Sequence, residues 1–432
     1  MLVCSVTLSV LALGAPLASP ASPTSPAVSP TAASAEQKEQ IPVNARTMTY
    51  KDNCEEARDR SEAEGGKGSY GCITLMSPPQ GEKAAESMRA QAADVPLPTN
   101  ECTGDEDGFW YATRTMQCQI DPNVKYTYFD SDGKIAGTAL FATAQQMDLS
   151  VKSLQWSETD QLVMLKSTGD LPPLTITWTT KCAPTCSPGS TTLWSKQPIS
   201  VGQRLEKTYA ISDTPTTTYD YLDVTYELDI DAPNADQLTP PISWDSEVRC
   251  DDKLSIANTS GCVVPWTTPT LSVSRADYGS SADMIDWAQR NLSGHWGLKN
   301  TGAPLHRLQK DSDQKANRQA ICGTTKFTKD PVITDDTCDE FPFAGTYESG
   351  ALNGVDHGKD CAQVTAVRAD NTGDNATDWP TITPLGPFTG EEKCVRGHIP
   401  GSLNSDLGGA YGNFVQSARL ADNDGFWLRV TF

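Results

Sequence analysis

The chain has 432 residues, of which 38% are hydrophobic and 21% charged, with ten tryptophans. This composition belongs to a folded protein of two or three domains and excludes a chain disordered throughout. A formal charge of −21 argues against adhesion to polyanions over the whole surface, because Lys and Arg drive phosphate binding.

Residues 1–26 open with the apolar run MLVCSVTLSVLALGAPLASPASP and end in small residues and prolines, which predicts a signal peptide and a secreted, extracellular protein. The run is too short for a membrane anchor, and no membrane span is expected elsewhere. Residues 27–45 are rich in Ala, Ser, Pro and Thr and predict a disordered linker.

Of the 13 cysteines, Cys4 lies in the leader and the rest fall in neighbouring couples: Cys54 and Cys72, Cys102 and Cys118, Cys182 and Cys186, Cys250 and Cys262, Cys322 and Cys338, Cys361 and Cys394. An even set in an exported chain implies disulfides, and pairing within each couple is the expectation, although sequence alone does not fix connectivity. Structural zinc is disfavoured, since only Cys182 and Cys186 are tightly spaced and no His lies near them.

Residues 46–265 are expected to form a disulfide-bonded, β-rich region. Its first part is polar and says little, with AAESMRAQAA making at most a short helix. From Cys102 to Val264 come short alternating or β-branched segments: FWYATRTMQCQI, VKYTYFD, GTALFATA, LVMLKST, LTITWTT, LEKTYAIS and YLDVTYELDI. The turn-forming stretches DSDG, CAPTCSPGS and APNAD bound them, and this rhythm predicts an antiparallel sandwich. The region has no histidine and no catalytic constellation. Packing or binding is its expected role, with a cell-surface or carbohydrate ligand as the candidate partner.

Past Pro265 the pattern changes, and a second domain is placed at residues 277–432. In ADMIDWAQRNL the spacing of Met284, Ile285, Ala288 and Leu292 suits one helix face, and SDQKANRQAIC follows as a second helix. Residues 281–432 hold 14 basic and 20 acidic residues, a net of −6, which leaves −15 upstream and softens the electrostatic objection to a nucleic-acid partner. All four histidines, His295, His306, His357 and His398, lie in this domain, each by default a solvated or core residue.

The densest chemistry is in TCDEFPFAGTYESG, residues 337–350, with Asp339 and Glu340 adjacent and Glu348 after a turn. Phosphodiester hydrolysis needs a base to activate water and a cation to neutralise charge on phosphate, and carboxylates can serve both needs. Adjacent side chains on an extended strand face opposite ways, so Asp339 and Glu340 either take different roles or splay around a turn at Pro342. Solvated acids on a surface loop are the plain alternative. A Ser/His hydrolase is disfavoured by the lack of a G-x-S-x-G elbow.

The stretch CDEFPFAGTYESG resembles the DE(W/Y/F)P-x-A-x-x-x-(E)-x-G signature of the NucA/NucB secreted bacterial deoxyribonucleases. GAPLHRLQKDSDQKANRQAIC before it and NSDLGGAYGNFVQSARLADNDGFWLRVTF after it are similar to segments around that signature, so the resemblance covers roughly residues 280–432. It implies an α+β domain related to the ββα, or His-Me finger, nucleases, with Asp339 as general base where relatives use a histidine. It also implies that Glu340 and Glu348 hold or orient a divalent cation, Mg²⁺ or Mn²⁺. Asn404, with Gly408, Gly409 and Tyr411 behind it, is the further metal-side position, a helix cap being its ordinary alternative. Asp370 and Asn371 form a competing pair. Arg307, Arg318, Arg396 and Arg419 are the candidate phosphate contacts, each equally readable as a structural arginine. A polar insertion between Cys361 and Cys394 sets this chain apart from the shortest family members, and a disulfide there would close it as a loop and keep the flanking strands paired.

The expected function is therefore metal-dependent hydrolysis of DNA with little sequence preference, with an inhibitor protein as a possible second partner. The alternative is a noncatalytic extracellular or cell-envelope binding protein that carries a degenerate nuclease domain.

Overall fold

The computed structural model describes residues 38–42, 54–76, 98–252, 254, 259–323, 326–367 and 381–432. The expected leader, most of the linker, the short AAESMRAQAA helix and the Asp370–Asn371 pair lie outside the described residues. Residues 37–432 form one compact unit, in which two hydrophobic cores separate between Trp266 and Leu271.

The upstream part is a β-rich module. Its larger, nine-stranded sheet runs through Glu39–Pro42, Phe109–Thr113, Met116–Phe129, Ile135–Asp148, Gln155–Gly169, Arg204–Asp213 and Cys186–Ser187. Ser69–Leu75 pairs onto Met116–Phe129 and carries Ala235–Gln237. The second sheet has the order Gly261–Val263, Ile242–Asp251, Tyr219–Asp231, Leu174–Ala183, Ser190–Ile199. Side chains alternate in and out with the two-residue period of a strand: Leu222, Val224, Tyr226, Leu228 and Ile230 are all fully buried, and residues between them are exposed or half-buried. Trp110, Trp156, Trp178 and Trp244 fill the core. Each of the seven expected β segments falls on strand residues. FWYATRTMQCQI, however, is a hairpin turned at Arg114 and Thr115, and the strands Ser190–Ile199 and Ile242–Asp251 were not foreseen. Helix α1 (Cys54–Ala63) rests on this module through the Cys54–Cys72 disulfide.

Downstream, two small sheets pack with three helices, α2 (Arg275–Asn291), α3 (Asp311–Cys322) and α4 (Gly401–Ser417). Strand Thr270–Ser274 pairs in parallel with the last strand, Gly425–Thr431, so this module begins upstream of the expected boundary at residue 277. The four-stranded sheet has the order Asp336–Phe341, Val395–Pro400, Ala362–Val367, Thr381–Pro384. Met284, Ile285, Ala288 and Leu292 are fully buried, as the helical spacing requires, and α2 is kinked at Gly279, whose φ of 45° is open to glycine. On the final strand Phe426 and Leu428 face the core.

All six local disulfides are present. Cys361–Cys394 stands where Ala362 and Val395 begin a parallel ladder, so it closes the insertion at the foot of two paired strands. Such bonds persist in oxidising compartments. Among the described residues no helix is long and apolar enough to cross a membrane.

Candidate active site

A cleft of about 450 Å³ opens between α3, α4, the strand Asp336–Phe341 and the turn that follows it. Gln314 and Arg318 come from α3, Asp339 and Glu340 from the strand, Phe343 to Gly345 from the turn, and Asn404, Leu407, Gly408, Tyr411, Gly412 and Val415 from α4. Arg307 and Leu308 complete the lining. The α4 residues recur at helical spacing, which brings them to one face. No atom lies within 4 Å of a Cβ built on Gly408 or Gly412, so the cleft is open at these two positions of the α4 wall. Asn317, fully buried on α3, donates to the carbonyls of Ala344 and Thr346 and fixes the turn. Tyr411 donates to the Gly345 carbonyl at 2.8 Å and stacks on Phe343. A Cβ at Gly345 would meet the Tyr411 ring at 2.9 Å, so only glycine admits this contact.

Asp339 is 5% exposed. Its Oδ2 accepts from the Ser281 hydroxyl of α2 at 3.2 Å, and its Oδ1 from the Glu340 N–H at 2.9 Å. Burial, reinforced by the Glu340 charge, pushes the Asp339 carboxyl up to about 8; the two hydrogen bonds pull the other way. Glu340 is also raised by burial, against the opposing pull of Arg318. Arg318 Nε donates to Glu340 Oε1 at 3.3 Å, and its side chain is 58% exposed. Arg318 thus reaches from solvent to a buried carboxylate, where its charge is placed to meet a substrate oxygen at the cleft mouth. The Cys322 sulfur lies 3.4 Å from Glu340 Oε2, but a disulfide sulfur carries no proton and donates nothing.

No family model, curated protein or solved structure matches this chain. Its site must therefore be judged on its own geometry.

Of the residues expected at the site, Asp339, Glu340, Asn404, Arg307 and Arg318 line one cleft. Asn404 is not a helix cap. The helix begins at Gly401 with Pro400 at the cap, so Asn404 stands inside the first turn. Its Nδ2 donates to Thr337 Oγ1 and the Cys338 carbonyl, and its Oδ1 takes no part in these bonds. Glu348 is absent from the lining: its Oε1 is 2.6 Å from His306 Nδ1, and its Oε2 accepts from the His306 backbone. Arg396 is also elsewhere, bonded to Gln363 and the Lys326 carbonyl. Arg419 is 1% exposed, and its side chain pairs with Asp251 of the β module. Arg419 is structural, its donors spent on buried acceptors, whereas Arg396 lies outside the cleft lining.

Sequence reasoning missed Ser281, whose signal is a pair of serines opening an otherwise apolar helix face, and Gln314, which had none. The remaining histidines have partners outside the cleft: His398 meets Asp336 of the neighbouring strand, His295 the Gln289 carbonyl, and His357 the Lys359 N–H.

Among the described residues no three His, Cys, Asp or Glu side chains cluster as a metal site. Of the residues expected to hold a cation, Glu340 and Asn404 line the cleft, and their hard oxygens suit a cation such as Mg²⁺ that keeps several of its own waters.

Proposed function

We propose that the cleft hydrolyses phosphodiesters and that DNA is its substrate. The observation that carries this reading is the pairing of buried Asp339 with Glu340 in one cleft with Asn404 and two arginines. The resemblance of CDEFPFAGTYESG to the NucA/NucB signature supports the same chemistry, and a ββα-type nuclease core is part of the proposal.

Asp339 takes the proton from the attacking water. A carboxyl raised to about 8 is a stronger base than an ordinary aspartate and titrates near neutral pH, where general-base catalysis is most effective. Ser281 and the Glu340 N–H hold the carboxylate in one orientation. Arg318 and Arg307 contact the phosphate, and the open space at Gly408 and Gly412 leaves room for a polymer backbone. A divalent cation held by Glu340 and Asn404 would supply the charge that polarises the phosphoryl oxygen and favours ionised Asp339. Glu348, committed to His306, is left out of the ligand set. The common cleft of Asp339 and Asn404 weighs against a degenerate scaffold.

The test is nicking of supercoiled plasmid by the purified protein with Mg²⁺ or Mn²⁺, with EDTA and Asp339→Ala as controls. Metal-dependent nicking that disappears in the variant supports the proposal. Absence of cleavage by folded protein with either cation favours the binding-protein alternative.

A further inference from the structure

The two modules meet through a buried ion network that ends at the cleft. Asp424 sits in the loop between α4 and the last strand. Arg249, fully buried on the β-module strand Ile242–Asp251, donates to both Asp424 oxygens at 2.8 Å. Arg114, 3% exposed at the hairpin turn, donates to Asp424 Oδ2 at 2.7 Å and to the carbonyls of Ala418, Val264 and Thr267. Arg419 of the same loop reaches back into the β module, where Asp251 and the carbonyls of Val151 and Thr259 receive it.

This loop also grips Arg307. The Leu420 carbonyl accepts from the Arg307 guanidinium. The Arg307 N–H donates to the Asp424 carbonyl at 2.9 Å, and the Asn423 N–H donates to the Arg307 carbonyl at 2.8 Å. Arg307 is 8% exposed and lines the cleft. Burial disfavours its charged form, which Asp422, Asp424 and Tyr411 support. A guanidinium this buried has few alternative positions, so the loop that holds it decides where its charge stands.

We propose that Asp424 is a positioning residue for the cleft: clamped by Arg114 and Arg249, it fixes the loop that sets Arg307, and so makes the β module an integral part of phosphate binding. The inference rests on reading the cleft as a phosphodiester site. It assigns the β module work that needs no ligand of its own. A half-buried carboxylate between two buried arginines is a strong clamp, because its loss leaves the buried guanidinium charges without their counter-ion.

The experiment uses the full chain carrying Asp339→Asn, so that DNA is bound and not cut. Affinity for a duplex oligonucleotide is measured by anisotropy between 50 and 200 mM salt, and amide exchange of residues 305–309 is followed by mass spectrometry. Asp424→Asn should weaken binding about tenfold and reduce the salt slope by about one, as loss of a phosphate contact does. Arg307→Gln should do the same, and the double variant should add little, since both remove one coupled element. Exchange at residues 305–309 should accelerate in Asp424→Asn. If Asp424→Asn does not fold, Arg114→Lys keeps the Arg249 pair, removes the fork to the loop, and should shift both readouts in the same direction. Folded variants with unchanged affinity and unchanged exchange would overturn the inference. Failure of the parent chain to bind DNA would overturn the phosphodiester reading instead, and exchange alone would then decide whether Asp424 positions Arg307.

Discussion

The Ser281 hydroxyl donates to Asp339 Oδ2 at 3.2 Å across 58 residues of sequence, from a helix to the strand beneath it. Both side chains are buried, so this bond is one of the few interactions that favour the ionised form of Asp339. Ser281→Ala removes it. The Asp339 pKa should rise further, and the lower limb of the kcat/KM profile should move about one unit toward higher pH, since a hydrogen bond to a charged group contributes roughly 1.5–3 kcal/mol. A profile that stays in place would detach Ser281 from the base.

Asp339→Asn should lower cleavage by roughly 10²–10⁴-fold, the usual contribution of a positioned base. The same change should stabilise the fold at alkaline pH. Asp339 holds its proton in the folded state up to about pH 8 and releases it on unfolding, so the unfolded state binds fewer protons and stability falls as pH rises from the unfolded value to the folded one. Melting temperatures at pH 5 and pH 9 check this: the gap between them should shrink in the variant.

The β module carries a second buried acid pair. Glu158 and Asp160 lie on the same face of the strand Gln155–Gly169, both fully buried. Asp160 accepts from Gln145 and Tyr209, whereas no hydrogen bond of good geometry reaches either Glu158 oxygen. Burial pushes Asp160 up to about 7 and Glu158 well above the ordinary range, the latter reinforced by the Asp160 charge. By the same proton count, stability of this module should decline between pH 4 and pH 7. Glu158→Gln keeps the shape without the charge and should gain roughly 1–3 kcal/mol at pH 8. Denaturant titrations at pH 5 and pH 8 decide, and a loss at pH 8 would reveal a required carboxylate.

The Cys322–Cys338 bond ties the end of α3 to the residue before Asp339. Closing a loop of this length contributes about 3 kcal/mol in the chain-entropy account. Cys322→Ser with Cys338→Ser should lower stability by that order and lower cleavage more than the Cys54→Ser, Cys72→Ser pair does, because only the former anchors both cleft walls. Equal losses of activity in the two double variants would argue against this.

Much of the molecule is legible locally. The two-residue alternation of YLDVTYELDI gives a half-buried strand, the spacing of Met284, Ile285, Ala288 and Leu292 gives a buried helix face, and close cysteine couples pair because short loops keep them within reach. Asp339, Glu340 and Asn404 stand out in the sequence because their residue types and order resemble a known signature. The fate of the arginines was illegible. Arg307, Arg318, Arg396 and Arg419 look alike in one dimension, yet only the first two line the cleft, and Arg419 is buried against Asp251 in another module. Which carboxylate or carbonyl meets a long, flexible cation depends on elements from 22 to 168 residues apart, and no local propensity encodes that meeting. The same holds for Glu348, whose partner His306 is brought to it by folding. Sequence determined the strands, the helices and the candidate chemistry; tertiary structure decided which charges share a buried space, because burial and pairing are properties of neighbours in three dimensions.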